Sequence, residues 1–164
     1  MISLDVERIQ MLSPYPVMQE GDEYLFKTDY DIVYAIQFSA EPSVSNFNAY
    51  WFELSNRSHK PSPNDSKVRG TIICIIEDFF RLNPDVLLYM CDNANDQQAM
   101  RYRLFLRWFN SYELRKKYYM LNEVIMDEGI ENYISCIIPL SHPRFEEVVN
   151  YFKEVIELFK TNKP

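Results

Sequence analysis

The sequence predicts an α+β fold: a mixed, mostly antiparallel sheet of about six strands flanked by three main helices. Three observations carry this reading. Short strand-like stretches recur between residues 24 and 55 and again from 117 to 140. Longer segments at 67–82, 95–113 and 143–160 place apolar residues at helical spacing. The resulting order is strand-strand-strand-helix-strand-helix-strand-strand-helix. It joins the third and fourth strands through a helix, so these two should run parallel with a right-handed crossover inside a largely antiparallel sheet.

Each element has a local reason. Residues 1–22 are weakly patterned, with Pro14 and Pro16 set against regular structure. Tyr24–Thr28 and Ile32–Ser39 flank Asp29-Tyr30-Asp31, a hairpin turn. The stretch "NAYWFELS", 48–55, is aromatic and alternating, as a strand requires. A polar loop, "NRSHKPSPNDS", follows at 56–66. In the next helix Val68, Ile72, Ile75, Ile76 and Phe79 share a face, while Thr71, Asp78 and Arg81 mark the other. Asp65 or Ser66 caps its start and Asn83-Pro84 ends it.

The run "DVLLYMC", 85–91, reads as a strand covered on both faces. A second helix starts near Asn95, has capping-box spacing to Gln98, and buries Leu104, Phe105, Trp108 and Tyr112. Strands at about 117–126 and 132–140 meet through Asp127-Glu128-Gly129, a hairpin signal. The last helix carries one stripe of Phe145, Val148, Val149, Phe152, Val155, Ile156 and Phe159. A chain of 164 residues with 47% apolar and 15% aromatic content supports a single domain, with a core at 24–140 and a C-terminal helix at 143–160.

Composition excludes several classes. A net charge of −7 argues against duplex DNA binding by the whole surface. Cys74, Cys91 and Cys136 form no CxxC pair, and only His59 and His142 could join them, so no metal site is predicted. Asp5 and Glu7 stand where a secretory leader carries cations, and the apolar run 72–76 is too short to span a bilayer. A cytoplasmic protein is the expectation.

From residue 24 to 140 the order of elements resembles the GNAT superfamily of N-acetyltransferases. The resemblance implies that the helix at 67–82 binds the pyrophosphate of acetyl-coenzyme A at its N-terminus. The family's loop, Gln/Arg-x-x-Gly-x-Gly/Ala, corresponds here to Lys67-x-x-Gly70-x-Ile72, with isoleucine where the family has a small residue. The cofactor contacts so implied are Lys67, Arg69, Gly70, Thr71 and Asn95. Tyr102, seven residues after Asn95, would protonate the departing thiolate, and Glu53 would take the amine proton. Physical chemistry permits an anion site there, because a helix start offers unsatisfied N–H groups and Arg57, Lys60, Lys67 and Arg69 lie nearby. Trp51, on the same strand face as Glu53, could raise a carboxylate's pKa by excluding water. The structural alternative makes Gly70 a packing residue and the cations a solvated loop.

The chain is also similar to a family of short, uncharacterised bacterial proteins sharing "TIxxIIExFFxxNPxVLLYxCD" and "RxRxFxRWF", present here at 71–92 and 101–109. That likeness implies relatives and no activity. One basic patch breaks the acidic average: Arg101, Arg103, Arg107, Arg115, Lys116 and Lys117 against the single acid Glu113. It is a candidate contact for a protein partner, for RNA or for cofactor phosphates, or simply a solvated face. Two functions follow. One is a degenerate acetyl-coenzyme A-dependent N-acyltransferase. The other is a non-catalytic module that binds a partner, antitoxin- or immunity-like, or that forms a homodimer.

Overall fold

Burial follows the anticipated alternation in the computed structural model, which describes residues 1–92, 103 and 105–161. The architecture is α+β, with seven strands in a mostly antiparallel sheet of order β1-β2-β3-β4-β5-β7-β6. The strands are β1 (Val17–Glu20), β2 (Glu23–Lys27), β3 (Val33–Ala40), β4 (Ala49–Asn56), β5 (Val86–Asp92), β6 (Tyr118–Asp127) and β7 (Ile130–Pro139). The described helices are α1 (Val6–Leu12), α2 (Ser66–Leu82), α3 (Tyr112–Arg115) and α4 (Phe145–Thr161). The chain groups into two compact units: Met1–Ser39 with Phe52–Pro84, and Ala40–Trp51 with Asp85–Pro164.

In the first unit, β1, β2 and β3 form an antiparallel meander. Tyr24 and Phe26 on β2 and Tyr34, Ile36 and Phe38 on β3 are buried. They meet the stripe of α2, where Val68, Ile72, Ile75, Ile76 and Phe79 are buried and Phe79 stacks on Phe38 with ring centroids 4.8 Å apart. The Asp65 carboxylate caps α2 by accepting from Lys67 N, and at Asn83 the chain leaves the helix.

Two expectations are corrected here. Residues 1–22 are not weakly structured: they contain α1 and β1, the strand beyond the expected six. Nor do Thr71 and Asp78 face solvent, for both are buried. One physical cause accounts for both departures. The N-terminal segment lies along that face of α2 and uses its polar groups as anchors. Tyr15 N donates to Thr71 Oγ1 at 3.2 Å, Asp5 N to Asp78 Oδ2 at 2.9 Å, and Ile2 N to Asn83 Oδ1 at 2.7 Å. Pro14 and Pro16 therefore punctuate an ordered segment rather than abolish one.

In the second unit, β7 lies between β5 and β6 and pairs antiparallel with each. Val86, Leu87, Leu88 and Tyr89 are buried in succession, as a strand with both faces covered requires. Glu128 (φ 50°) and Gly129 (φ 79°) both take positive φ in the two-residue turn from β6 to β7. Ala49, Val86, Leu88, Cys136 and Ile138 form one core with Val148, Val149 and Phe152 of α4. Phe159 departs from the expected stripe and is 58% exposed. Lys160 beside it, also exposed, has its Nζ 2.9 Å from Glu123 of β6. Residues 105–109 are helical; Ser111 then stands at the N-cap of the short α3. Phe105 and Phe109 are the buried aromatics here, and Trp108 is half-buried. No described helix is long and apolar enough to cross a membrane.

Candidate functional site

The start of α2 is the natural first place to look, and its polar groups are engaged by the chain itself. Lys67 Nζ lies 2.9 Å from Asp29 Oδ2, and Asp29 raises the lysine's pKa. Thr71 Oγ1 donates to Lys67 O at 2.8 Å while accepting from Tyr15 N. Tyr15 Oη donates to Asp65 Oδ2 at 2.5 Å. Burial, with the Asp65 carboxylate beside it, pushes the Tyr15 hydroxyl up to about 12. Gly70 lies under Pro14: a Cβ added to it would sit 2.9 Å from Pro14 Cγ. The glycine is thus explained by close packing of the N-terminal segment. Two carboxylates, Asp29 and Asp65, also stand where an anionic ligand would approach the helix dipole. Arg69 is exposed on the same turn.

Of the acid–base candidates, Glu53 is exposed on β4, and Asn95 and Tyr102 lie outside the described residues. Trp51 has a different carboxylate as its partner: its Nε1 donates to Glu41 Oε2 at 2.5 Å. Donation from Ser43 N, then from the Ser43 hydroxyl and Trp51, holds the Glu41 carboxyl below the usual range. Arg103, Arg107, Arg115, Lys116 and Lys117 are exposed; Arg101 lies outside the described residues.

A polar group unforeseen from the sequence gathers in the second unit around Asp85. Asn48 Nδ2 approaches Asp85 Oδ1 at 3.5 Å, and burial raises the Asp85 carboxyl. Burial likewise raises the Tyr50 hydroxyl and lowers the buried His142 imidazole. His142 Nδ1 accepts from Arg144 N at 3.0 Å, so the imidazole holds the chain's entry into α4. Arg144 in turn pairs with Glu147 and donates to Asn46 O. Among the described residues, no cluster of three or more His, Cys, Asp or Glu is arranged to hold a metal ion.

At one end of the sheet order lies β6. This strand runs ten residues from Tyr118 to Asp127 and pairs with β7 one to one along its length, with no bulge. It contains no lysine, arginine or proline. A two-residue turn makes Asp127 and Ile130 a hydrogen-bonded pair, so odd-numbered residues of β6 direct their N–H and C=O groups to β7. The ladder's continuation agrees, since Leu140 N donates to the O of Lys117, an odd residue. The backbone groups of Tyr118, Met120, Asn122, Val124 and Met126 therefore point outward. Val124 and Met126 are each 41% exposed, and Ile130 beyond the turn is 44% exposed.

A family model described as a family of unknown function, DUF6169, matches residues 64–154, more than half of the chain. The chain belongs to DUF6169. No curated protein and no solved structure matches it. The DUF6169 match takes in α2, β5, the β6–β7 hairpin and most of α4, and leaves β1 to β4 outside. The edge strand β6 thus belongs to the part of the chain that defines DUF6169, whereas Glu53 does not. An edge is a property of strand order, which no local pattern in "YYMLNEVIMD" reveals. The signals that were legible are its length and its lack of cations and proline.

Proposed function

We propose that this chain is a non-catalytic interaction module that offers the β6 edge to a protein strand. One observation carries the reading: a ten-residue edge strand, free of bulges, without cation or proline, bearing exposed Val124 and Met126. Proteins ordinarily blunt such an edge, because a row of outward N–H and C=O groups is a template for another strand. Strand addition of this kind draws its affinity from main-chain hydrogen bonds and its selectivity from alternate side chains.

The competing reading is acyl transfer from acetyl-coenzyme A, with Lys67, Arg69, Gly70 and Thr71 at the pyrophosphate. Against it stand the ion pair of Lys67 with Asp29, the doubly bonded Thr71 hydroxyl and the proline over Gly70. Thermal melting with and without millimolar acetyl-coenzyme A separates the two. A cofactor at a hundred times its Kd adds about 2.7 kcal/mol and raises the midpoint by several degrees. The module reading predicts an unchanged midpoint; a rise of several degrees would overturn it.

A further inference from the structure

We propose that His142 is an acid-sensitive latch: its neutral imidazole ties the start of α4 to the loop between β3 and β4, and protonation of the ring releases that tie. The latch stands apart from the β6 edge and does not rest on it. Its basis is one hydrogen bond whose direction is fixed. His142 is buried, and its Nδ1 accepts from Arg144 N at 3.0 Å. A backbone N–H can only donate, so Nδ1 presents its lone pair and the neutral ring carries its single hydrogen on Nε2. A second proton has only Nδ1 to go to. There it turns the acceptor into a donor facing another donor.

What depends on this bond lies around it. Arg144, held at its amide by the ring, donates from its guanidinium to Asn46 O of the β3–β4 loop and pairs with Glu147 of α4. The same stretch is closed by Phe145 N donating to His142 O at 3.2 Å and Val148 N to Arg144 O at 3.0 Å. Phe145 packs edge-to-face on Tyr119, with ring centroids 5.6 Å apart, and Val148 and Val149 are buried. Among the described residues two charged groups act on the imidazole, Asp85 before β5 and Arg144 itself. Burial, the largest influence, and Arg144 oppose the charged ring, while Asp85 favours it; the balance holds His142 below its ordinary 6.5. The stability contributed by the neutral ring is therefore whole above pH 6.5 and declines below it, because the unfolded chain takes up the proton first. The latch itself opens as the pH falls through the folded value.

NMR of the full chain in a His59→Asn background, which leaves a single imidazole, tests the latch. His59 is the only other histidine and has φ 53°, a conformation asparagine tolerates. At neutral pH the ring should carry its hydrogen on Nε2 and leave Nδ1 bare. On acidification it should titrate below pH 6.5, and protection of the Arg144 and Val148 amides against exchange should fall about tenfold in step with it. His142→Asn is the separating variant, because Asn Oδ1 stands as many bonds from Cα as Nδ1 does and accepts at any pH in this range. It should keep the Arg144 amide protected throughout and erase the step. Asp85→Asn should move the ring's titration to lower pH. Hydrogen on Nδ1 at neutral pH, a titration that leaves the Arg144 amide unchanged, or a step of equal size in His142→Asn overturns the proposal. None of these readings involves the β6 amides or the acetyl-coenzyme A melt, so failure of the latch and failure of the module reading are told apart.

Discussion

The two edge strands of this sheet are built in opposite ways. β1 is four residues long, follows Pro16, and has an outward carbonyl already filled: Gln10 Nε2 of α1 donates to Val17 O at 2.6 Å. The segment carrying that glutamine is tied to α2 at Thr71, Asp78 and Asn83. β6 is ten residues long and has none of these protections among the described residues. Among the described residues the short edge is engaged by its own chain, whereas the long one presents the outward backbone groups of Met120, Asn122 and Val124. Shielding is the general requirement for solubility, so the exception marks the contact surface.

The largest expected effect comes from placing proline on alternate positions of β6. Glu123→Pro removes an amide that the strand parity assigns to β7 and should cost about 3 kcal/mol or more in urea unfolding. Val124→Pro removes an outward amide, which edge strands tolerate. It should leave the urea midpoint of the isolated chain nearly unchanged while abolishing strand addition at this edge. If the two prolines behave alike, the parity assigned to this edge is wrong.

Next in size is the clamp on the other edge. Asp78 Oδ1 lies 2.9 Å from Arg81 and 3.8 Å from Arg8, and its second oxygen accepts from Asp5 N. Asp78→Ala should cost about 2–3 kcal/mol, because a buried acceptor for an N–H and two guanidinium groups is lost. It should also speed proteolysis within the first 16 residues. Gly70→Ala acts on the same clamp from beneath Pro14. The contact penalty outweighs the helix-propensity gain of about 1 kcal/mol, for a net loss of about 1 kcal/mol.

The smallest effect lies in the loop between β3 and β4, in the same unit as β6. Glu41 has a lowered carboxyl pKa in the folded chain, so its contribution is fully present above its ordinary 4.5 and is lost as pH falls through the folded value. The stability gap between the parent and Glu41→Gln should therefore be full above pH 4.5 and narrow as the pH is taken below it in urea titrations. A gap that does not narrow on acidification would mean the carboxylate's hydrogen bonds are not its source.

Elements with strong local periodicity were legible in the sequence. The α2 and α4 stripes, the continuous apolar run of β5 and the Asp127-Glu128-Gly129 turn all appear where their residues place them. The N-terminal segment was not legible, because its meaning lies in partners far along the chain. Nothing near Asp5 announces Asp78, and a seven-residue helix with a four-residue strand is too short for periodicity to stand out. Gly70 shows the same limit in the candidate site. As letters, Lys67-x-x-Gly70 resembles a phosphate loop; in space, the glycine makes room for Pro14. Phe159, expected in the stripe of α4, is exposed, and its neighbour Lys160 pairs with Glu123 of β6, a partner that no local pattern announces.

Amide hydrogen exchange of β6, followed by NMR, tests the central claim most directly. Amides of the odd-numbered residues, such as Leu121 and Ile125, should be protected by their bonds to β7. Those of Met120, Asn122 and Val124, directed outward for a partner strand, should exchange freely in the isolated chain. Even-numbered amides as protected as the odd-numbered ones would show that this edge is already covered and contradict the reading.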